Sequence, residues 1–337
     1  MRRRHDWKQR FCTISIALAV VAFAAVAKPR GPHPQEQAPQ PAIKVQASQE
    51  QTPQQTIKAQ TSLVNLFVTV RGDHNAVITN LTKDDFRIFE DNTEQKIAFF
   101  SNDVSMPITL GLLLDTSGSE QAMLNAIQEA ATEFMHEVMH KGDEAMVLSF
   151  DTDVDLLCDF TDDHSLINNA IHRTRINEPS GNGPFGRMPV VGTAFYDGVY
   201  LAAHDQLAGQ AGRKAIIVVT DANDEGSRVK LPEAIEAAQR ADAVIHILLV
   251  YDPHFGGNGS VAHRMADETG GRMIDVRSDK ALQQAFTTIS EELRQQYVIG
   301  YYPTNTAHDG GFRKIRVETV KPGEKVLARK GYYAPKE

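Results

Sequence analysis

Asp115, Ser117 and Ser119 stand at alternate positions at the end of the run Thr109 to Ser119, directly behind the mostly apolar stretch Ile108 to Leu114. Three oxygen-bearing side chains set so closely make a cradle for a hard cation, provided that the fold delivers them to one place. Thr193, at the close of a long Gly- and Pro-rich loop, and Asp221, at the end of the run Ala215 to Val219, are the other candidates. All five offer only oxygen, a donor set that selects Mg2+, Mn2+ or Ca2+ over zinc.

Delivery of those oxygens requires a particular architecture. Ile108 to Leu114 reads as a buried parallel strand, and in open α/β sheets ligands collect outside the carboxyl ends of such strands. Ala122 to His140 carries Ile127, Ala131, Phe134 and Val138 at helical spacing, and Ala145 to Phe150 and Val154 to Phe160 read as two more strands. A helix at Ser165 to Arg175, the loop Ile176 to Gly192 and a helix at Ala194 to Leu207 follow. Ala215 to Thr220 and Val244 to Val250 are strands around a helix at Pro232 to Arg240, where proline suits the first turn. Helices at Val261 to Thr269 and Lys280 to Arg294 flank a short strand at Met273 to Val276. This alternation predicts an α/β domain with a mostly parallel central sheet covered on both faces.

The flanks have a different texture. Leu63 to Val70, Phe86 to Asn92 and Lys96 to Phe100 are β-like, too few strands to stand alone. Tyr297 to Tyr302, Phe312 to Val320 and Lys325 to Tyr333 are β-like as well, separated by turns at Asp309-Gly310-Gly311 and Pro322-Gly323. The expectation is a small β module formed by both flanks, with the α/β domain inserted between them. Its boundaries are set at 61–105 and 296–335, with the inserted domain at 106–295. The tyrosines Tyr297, Tyr301, Tyr302, Tyr332 and Tyr333 are expected to pack that module.

Met1 to Ala27 runs from basic residues through an apolar stretch to Ala25-Val26-Ala27, the order of a secretory signal, and is short for a membrane span. It is expected to be cleaved after Ala27, or retained as an amino-terminal anchor, which places the protein outside the cell or in the envelope. Residues 28–60, rich in Pro, Gln and Ala, read as a disordered tether. The leader holds five basic residues and Asp6, so its loss takes the formal charge from -8 to -12. Nucleic acid is therefore not the expected partner. Cys158 alone remains in the mature chain, which excludes an internal disulfide and suggests a small buried residue.

The segment Asp115 to Ser119, the isolated Thr193 and Asp221 in Val218-Val219-Thr220-Asp221 together resemble the metal-ion-dependent adhesion site of a von Willebrand factor A domain. Ser149 to Asp151, Gly192 to Asp197 and Arg213 to Ala215 resemble further segments of that family. Leu81 to Phe86 and Gly300 to Pro303 resemble the flanks of exported bacterial proteins that carry such a domain. The resemblance spans about Ser62 to Pro335 and implies a Rossmann-like three-layer fold. It also implies a bound Mg2+ with Ser117 and Ser119 as hydroxyl ligands, Thr193 bonded directly or through water, and Asp115 and Asp221 holding coordinating waters. A site so poor in direct anionic ligands would attract an Asp or Glu of a protein partner, and the implied activity is binding, not catalysis. Related domains further imply a shift of the last helix, 280–294. Two departures stand out: Ala222 replaces the Gly common after the last Asp, and the loop before Thr193 is enlarged.

Other motifs compete with this reading. His136-Glu137-Val138-Met139-His140 spells the H-E-x-x-H of a zinc hydrolase, but both histidines point away from the expected core face of their helix. A metal-free envelope scaffold is the other alternative. Gly181 to Gly186 spells a nucleotide-binding G-x-G-x-x-G without a preceding strand. Asp151, Asp153 and Asp155 imitate a calcium loop, yet Leu156 stands where glycine is needed, so exposed edge carboxylates are expected. Asn80 and Asn258 open formal glycosylation sequons of little weight.

Overall fold

The computed structural model describes residues 63–102, 106–176, 192–251 and 256–336. The expected leader, the tether, Gly181 to Gly186 and nearly all of the loop Ile176 to Gly192 lie outside the described residues.

Four strands come first: β1 (Val64–Arg71), β2 (Phe86–Glu90), β3 (Thr93–Gln95) and β4 (Ile97–Ser101). The central segment then runs β5 (Ile108–Asp115), α1 (Leu124–Val138), β6 (Glu144–Phe150), β7 (Val154–Thr161) and α2 (His164–Arg173). It continues through α3 (Phe195–Tyr200), which runs on as π-helical turns over Leu201–Leu207, to β8 (Arg213–Thr220) and α4 (Leu231–Arg240). It ends with β9 (Ala243–Val250), α5 (Gly259–Thr269), β10 (Met273–Val276) and α6 (Asp279–Arg294). Four strands close the chain: β11 (Tyr297–Tyr301), β12 (Phe312–Thr319), β13 (Lys325–Leu327) and β14 (Gly331–Tyr333).

The central sheet has the order β10-β9-β8-β5-β6-β7 and is parallel except for β7, which returns antiparallel beside β6. Every residue of β5 and β9 is buried, as expected of strands covered on both faces. Alternation along β5 divides the core in two. Ile108, Leu110, Leu112 and Leu114 face α1, α2 and α6, whereas Leu113 faces α3, α4 and α5. Ile127, Ala131, Phe134 and Val138 of α1 lie in the first of these cores, on the face that their spacing marks.

The flanks form two further sheets, β13-β1-β11-β4 and β14-β12-β2-β3, around a third core that includes Leu66, Val68, Ile88, Tyr297 and Tyr301. β1 pairs antiparallel with β11, Val64 opposite Tyr301 and Val68 opposite Tyr297. Within this core Tyr301 and Tyr332 donate to the buried carboxylate of Glu90, at 2.7 and 3.0 Å. Tyr302 is exposed instead.

Three local expectations are corrected. Lys325 to Tyr333 is not one strand: β13 joins β1 and β14 joins β12, and the crossing between them is tied to the central domain where Lys330 N donates to Glu268 O. Gly270, in the left-handed region, permits that approach, since a Cβ there would lie 2.3 Å from Arg329 N. Cys158 is only half-buried because β7 is an edge strand. Asp151 is buried, whereas Asp153 and Asp155 are exposed.

A buried charge cluster joins the β module to the central domain. Glu292 of α6 pairs with Arg71 of β1 and with Arg272, at 2.7 Å, and lies 3.7 Å from His246 of β9. Burial, with Arg272 and Arg71 alongside, pushes the His246 imidazole down to about 3, so it stays neutral.

Candidate metal centre

β5 and β8 are neighbours in the sheet, so the loops behind them meet beyond their carboxyl ends. Asp115 is the last residue of β5, and its Oδ1 accepts the main-chain N–H of Ser117 at 2.9 Å. That short turn brings the Ser117 and Ser119 hydroxyls to 3.0 Å from each other. Its other oxygen, Oδ2, accepts from the Thr220 hydroxyl at 2.6 Å, which ties β5 to the end of β8. Asp221 is held by its successor: Asn223 N and Asn223 Nδ2 donate to its two oxygens at 2.9 and 3.1 Å.

Ala222, between them, adopts a φ of 60° and is fully buried. The position where the resembled family commonly has glycine is thus one of left-handed backbone, which an alanine occupies here at a cost of roughly 1 kcal/mol. The turn is stitched by Ala222 N donating to Thr220 Oγ1 at 2.9 Å.

The structure brings Asp115, Ser117, Ser119 and Asp221 into one corner and adds Glu120. One carboxylate oxygen from each of Asp115, Glu120 and Asp221 lies within 4.8 Å of the others, and all three residues are buried. Glu120 closes the single helical turn Gly118–Glu120 that follows Ser117. No spacing rule singles it out, because an acid at the start of a helix ordinarily reads as favourable to the helix dipole.

Thr193 is positioned through its backbone. Its carbonyl accepts from Glu225 N at 3.1 Å, and the following Ala194 N donates to Asp151 O. The Asp151 carboxylate accepts from the Thr116 hydroxyl at 3.1 Å, so the loops after β5, β6 and β8 and the entry to α3 form one interlinked rim. Thr193 is buried there, and its side chain takes no part in the hydrogen bonds that link Asp115 to Ser117 and Ser117 to Ser119.

Burial of carboxylates in such proximity is electrostatically costly. Asp115 is pushed up to about 7, by desolvation first and further by the charge of Asp221, although hydrogen bonds from Ser117 and Thr220 oppose the rise. A cation at this corner would reverse that balance, and the oxygen-only donors fit a hard divalent ion.

The rival motif does not assemble. α1 ends at Val138, so His140 lies beyond the helix, and His136 stacks on His164 with Asn168 Nδ2 at 3.0 Å from its Nε2. Among the described residues, the Asp115, Glu120 and Asp221 group is the one cluster of acids, histidines or cysteines close enough to hold an ion.

Residues 110–223 match the family model of the von Willebrand factor type A domain. No curated protein matches the chain. Among solved structures, the conserved hypothetical protein BatB from Bacteroides thetaiotaomicron is similar at 18% identity and a TM-score of 0.44, over 55% of this chain and 98% of that one. The vWF domain of the type V pili tip protein Mfa5 from Porphyromonas gingivalis is similar at 14% identity and a TM-score of 0.43, over 56% of this chain and 96% of that one. Proximal thread matrix protein 1 from the mussel byssus, with a zinc occupied MIDAS motif, is similar at 15% identity and a TM-score of 0.48, over 59% and 48%. With the parallel sheet, its two helical layers and the acids gathered behind β5 and β8, the matched segment shows that this chain carries a von Willebrand factor type A domain.

Proposed function

We propose that the protein is an exported, non-enzymatic binding module that captures a protein partner through a divalent cation, Mg2+ above Mn2+ and Ca2+. The observation that carries this reading is the convergence of the Asp115, Glu120 and Asp221 carboxylates within 4.8 Å beside the paired hydroxyls of Ser117 and Ser119. Ser117 and Ser119 would hold the ion by their hydroxyls, Thr193 directly or through water, and Asp115 and Asp221 would hold its water ligands. When bound, the ion supplies a Lewis-acidic position that takes an Asp or Glu of the partner.

The chain's own residues do the rest. Thr220 and the Ser117 N–H orient the Asp115 carboxylate, and Asn223 orients Asp221, so the donors are preorganised. The rim built from 221–230 is anchored to the start of α3: Tyr196 N donates to Asp224 at 3.1 Å, and Arg228 N and Val229 N donate to Asp197 at 3.0 Å. This rigid loop, together with the segment before Thr193, would select among partners. The basic and apolar leader at Met1 to Ala27 supports secretion or an envelope location.

Capture from envelope extract with Mg2+ or with EDTA, repeated with Asp115→Ala, tests the reading. Metal-dependent retention lost in the variant is expected. Equal retention in EDTA would favour a metal-free scaffold, and stoichiometric zinc lost in His136→Ala would favour a hydrolase.

A further inference from the structure

The other end of the central sheet holds a cavity of about 250 Å3 between the first residues of β8 and β9 and the outer side of β1. Its apolar wall is made by Phe67, Met106 and Val244, and its polar wall includes Lys214, Arg329 and Asp242. Lys214 is the second residue of β8, so it lies seven residues, about 20 Å along a strand, from Asp221.

Two cationic donors are left over in this wall. Arg329 pairs with Asp242 and donates Nη2 to the carbonyl of Asn65 at 2.8 Å, but its buried Nε has no acceptor among the described residues. The Lys214 ammonium forms no hydrogen bond or ion pair among them, and Asp242, the acid that acts on it, is already engaged by Arg329. Burial, with Arg329 nearby, lowers the Lys214 ammonium below its ordinary value. A half-buried cation without a partner is costly, and the chain as a whole is acidic, so a basic cavity is not an accident of composition.

We propose that this cavity is a second binding site, for a compact organic carboxylate whose anionic end is held by Lys214 and Arg329 and whose body rests on Phe67, Met106 and Val244. The volume limits the ligand to a small molecule, since drug-sized ligands occupy roughly 300 Å3 or more. The site is independent of the proposed cation centre.

Benzoate is the probe, with uncharged methyl benzoate as its control, titrated by calorimetry into the full chain. Saturable binding of benzoate but not of the ester is expected, and Lys214→Met and Lys214→Gln should weaken it about 10-fold to 100-fold, the worth of a charge-assisted hydrogen bond. Asp115→Ala should leave it unchanged. In the wild-type chain, benzoate should also protect Lys214 from an amine-acylating reagent, read by mass spectrometry, a result that needs no variant to fold. Equal binding of acid and ester, no binding of benzoate, or unaltered affinity in a folded Lys214 variant would overturn the proposal.

Discussion

Replacing Asp115 by Asn isolates the electrostatic cost of the cation corner. Without metal, the folded chain holds the Asp115 carboxyl at about 7, against 3.8 for an ordinary aspartate. Between those values the folded state binds a proton that the unfolded state has released, so metal-free stability must fall as the pH rises. Integrated from pH 5 to pH 8, the loss is roughly 3 kcal/mol, the bulk of it above pH 5 and below pH 7. Asn carries no charge and keeps the shape, so Asp115→Asn lacks this component while every other titrating group still contributes. Urea unfolding in EDTA at pH 5 and pH 8 measures both chains. The wild type should lose roughly 3 kcal/mol more than the variant over that interval. Added Mg2+ should restore the difference at pH 8 in the wild type alone, because a ligand that binds only the folded state stabilises it by mass action. Parallel pH profiles for the two metal-free chains would refute the argument that burial and Asp221 together raise this carboxyl.

Three further outcomes follow from other parts of the molecule. Combined Ser117→Ala and Ser119→Ala should weaken Mg2+ binding by about 10-fold or more in calorimetry, because both hydroxyls are lost from the donor set, and should cost about 1 kcal/mol of metal-free stability, because the Ser117 side chain also bonds the Asp115 carboxylate. Glu292→Gln should destabilise the chain by about 3–5 kcal/mol in chemical unfolding, since Arg71 and Arg272 would stay buried without their counter-charge. Gly271→Ala should cost at least about 3 kcal/mol in the same assay, because the new Cβ would fall 1.9 Å from Ile245 O, a backbone atom in the central sheet.

Much of this protein is written locally. The apolar run into Asp115, the helical spacing of Ile127, Ala131, Phe134 and Val138, and the strand and helix alternation up to α6 are short-range patterns. Periodicity of 2 or 3.6 residues is decided within a few turns, so the α/β class and the two-sided burial of β5 can be read before any contact is known. The signature Asp115 to Ser119 is equally local: one turn sets the Ser117 and Ser119 hydroxyls side by side.

What distant parts of the chain do to one another is another matter. That Lys325 to Tyr333 divides between two sheets depends on which of β1 and β12 each half meets, a competition that its own composition does not settle. Glu120 looks like an ordinary helix-start acid until β5 and β8 pair and close Asp115 and Asp221 around it. Arg71 and Glu292 are 221 positions apart, and only the docking of β1 beside α6 makes them a buried pair. Burial and the low dielectric that goes with it belong to the packed molecule, so the shifted ionisation of Asp115 and the unpaired charge of Lys214 come into being only when the sheets close.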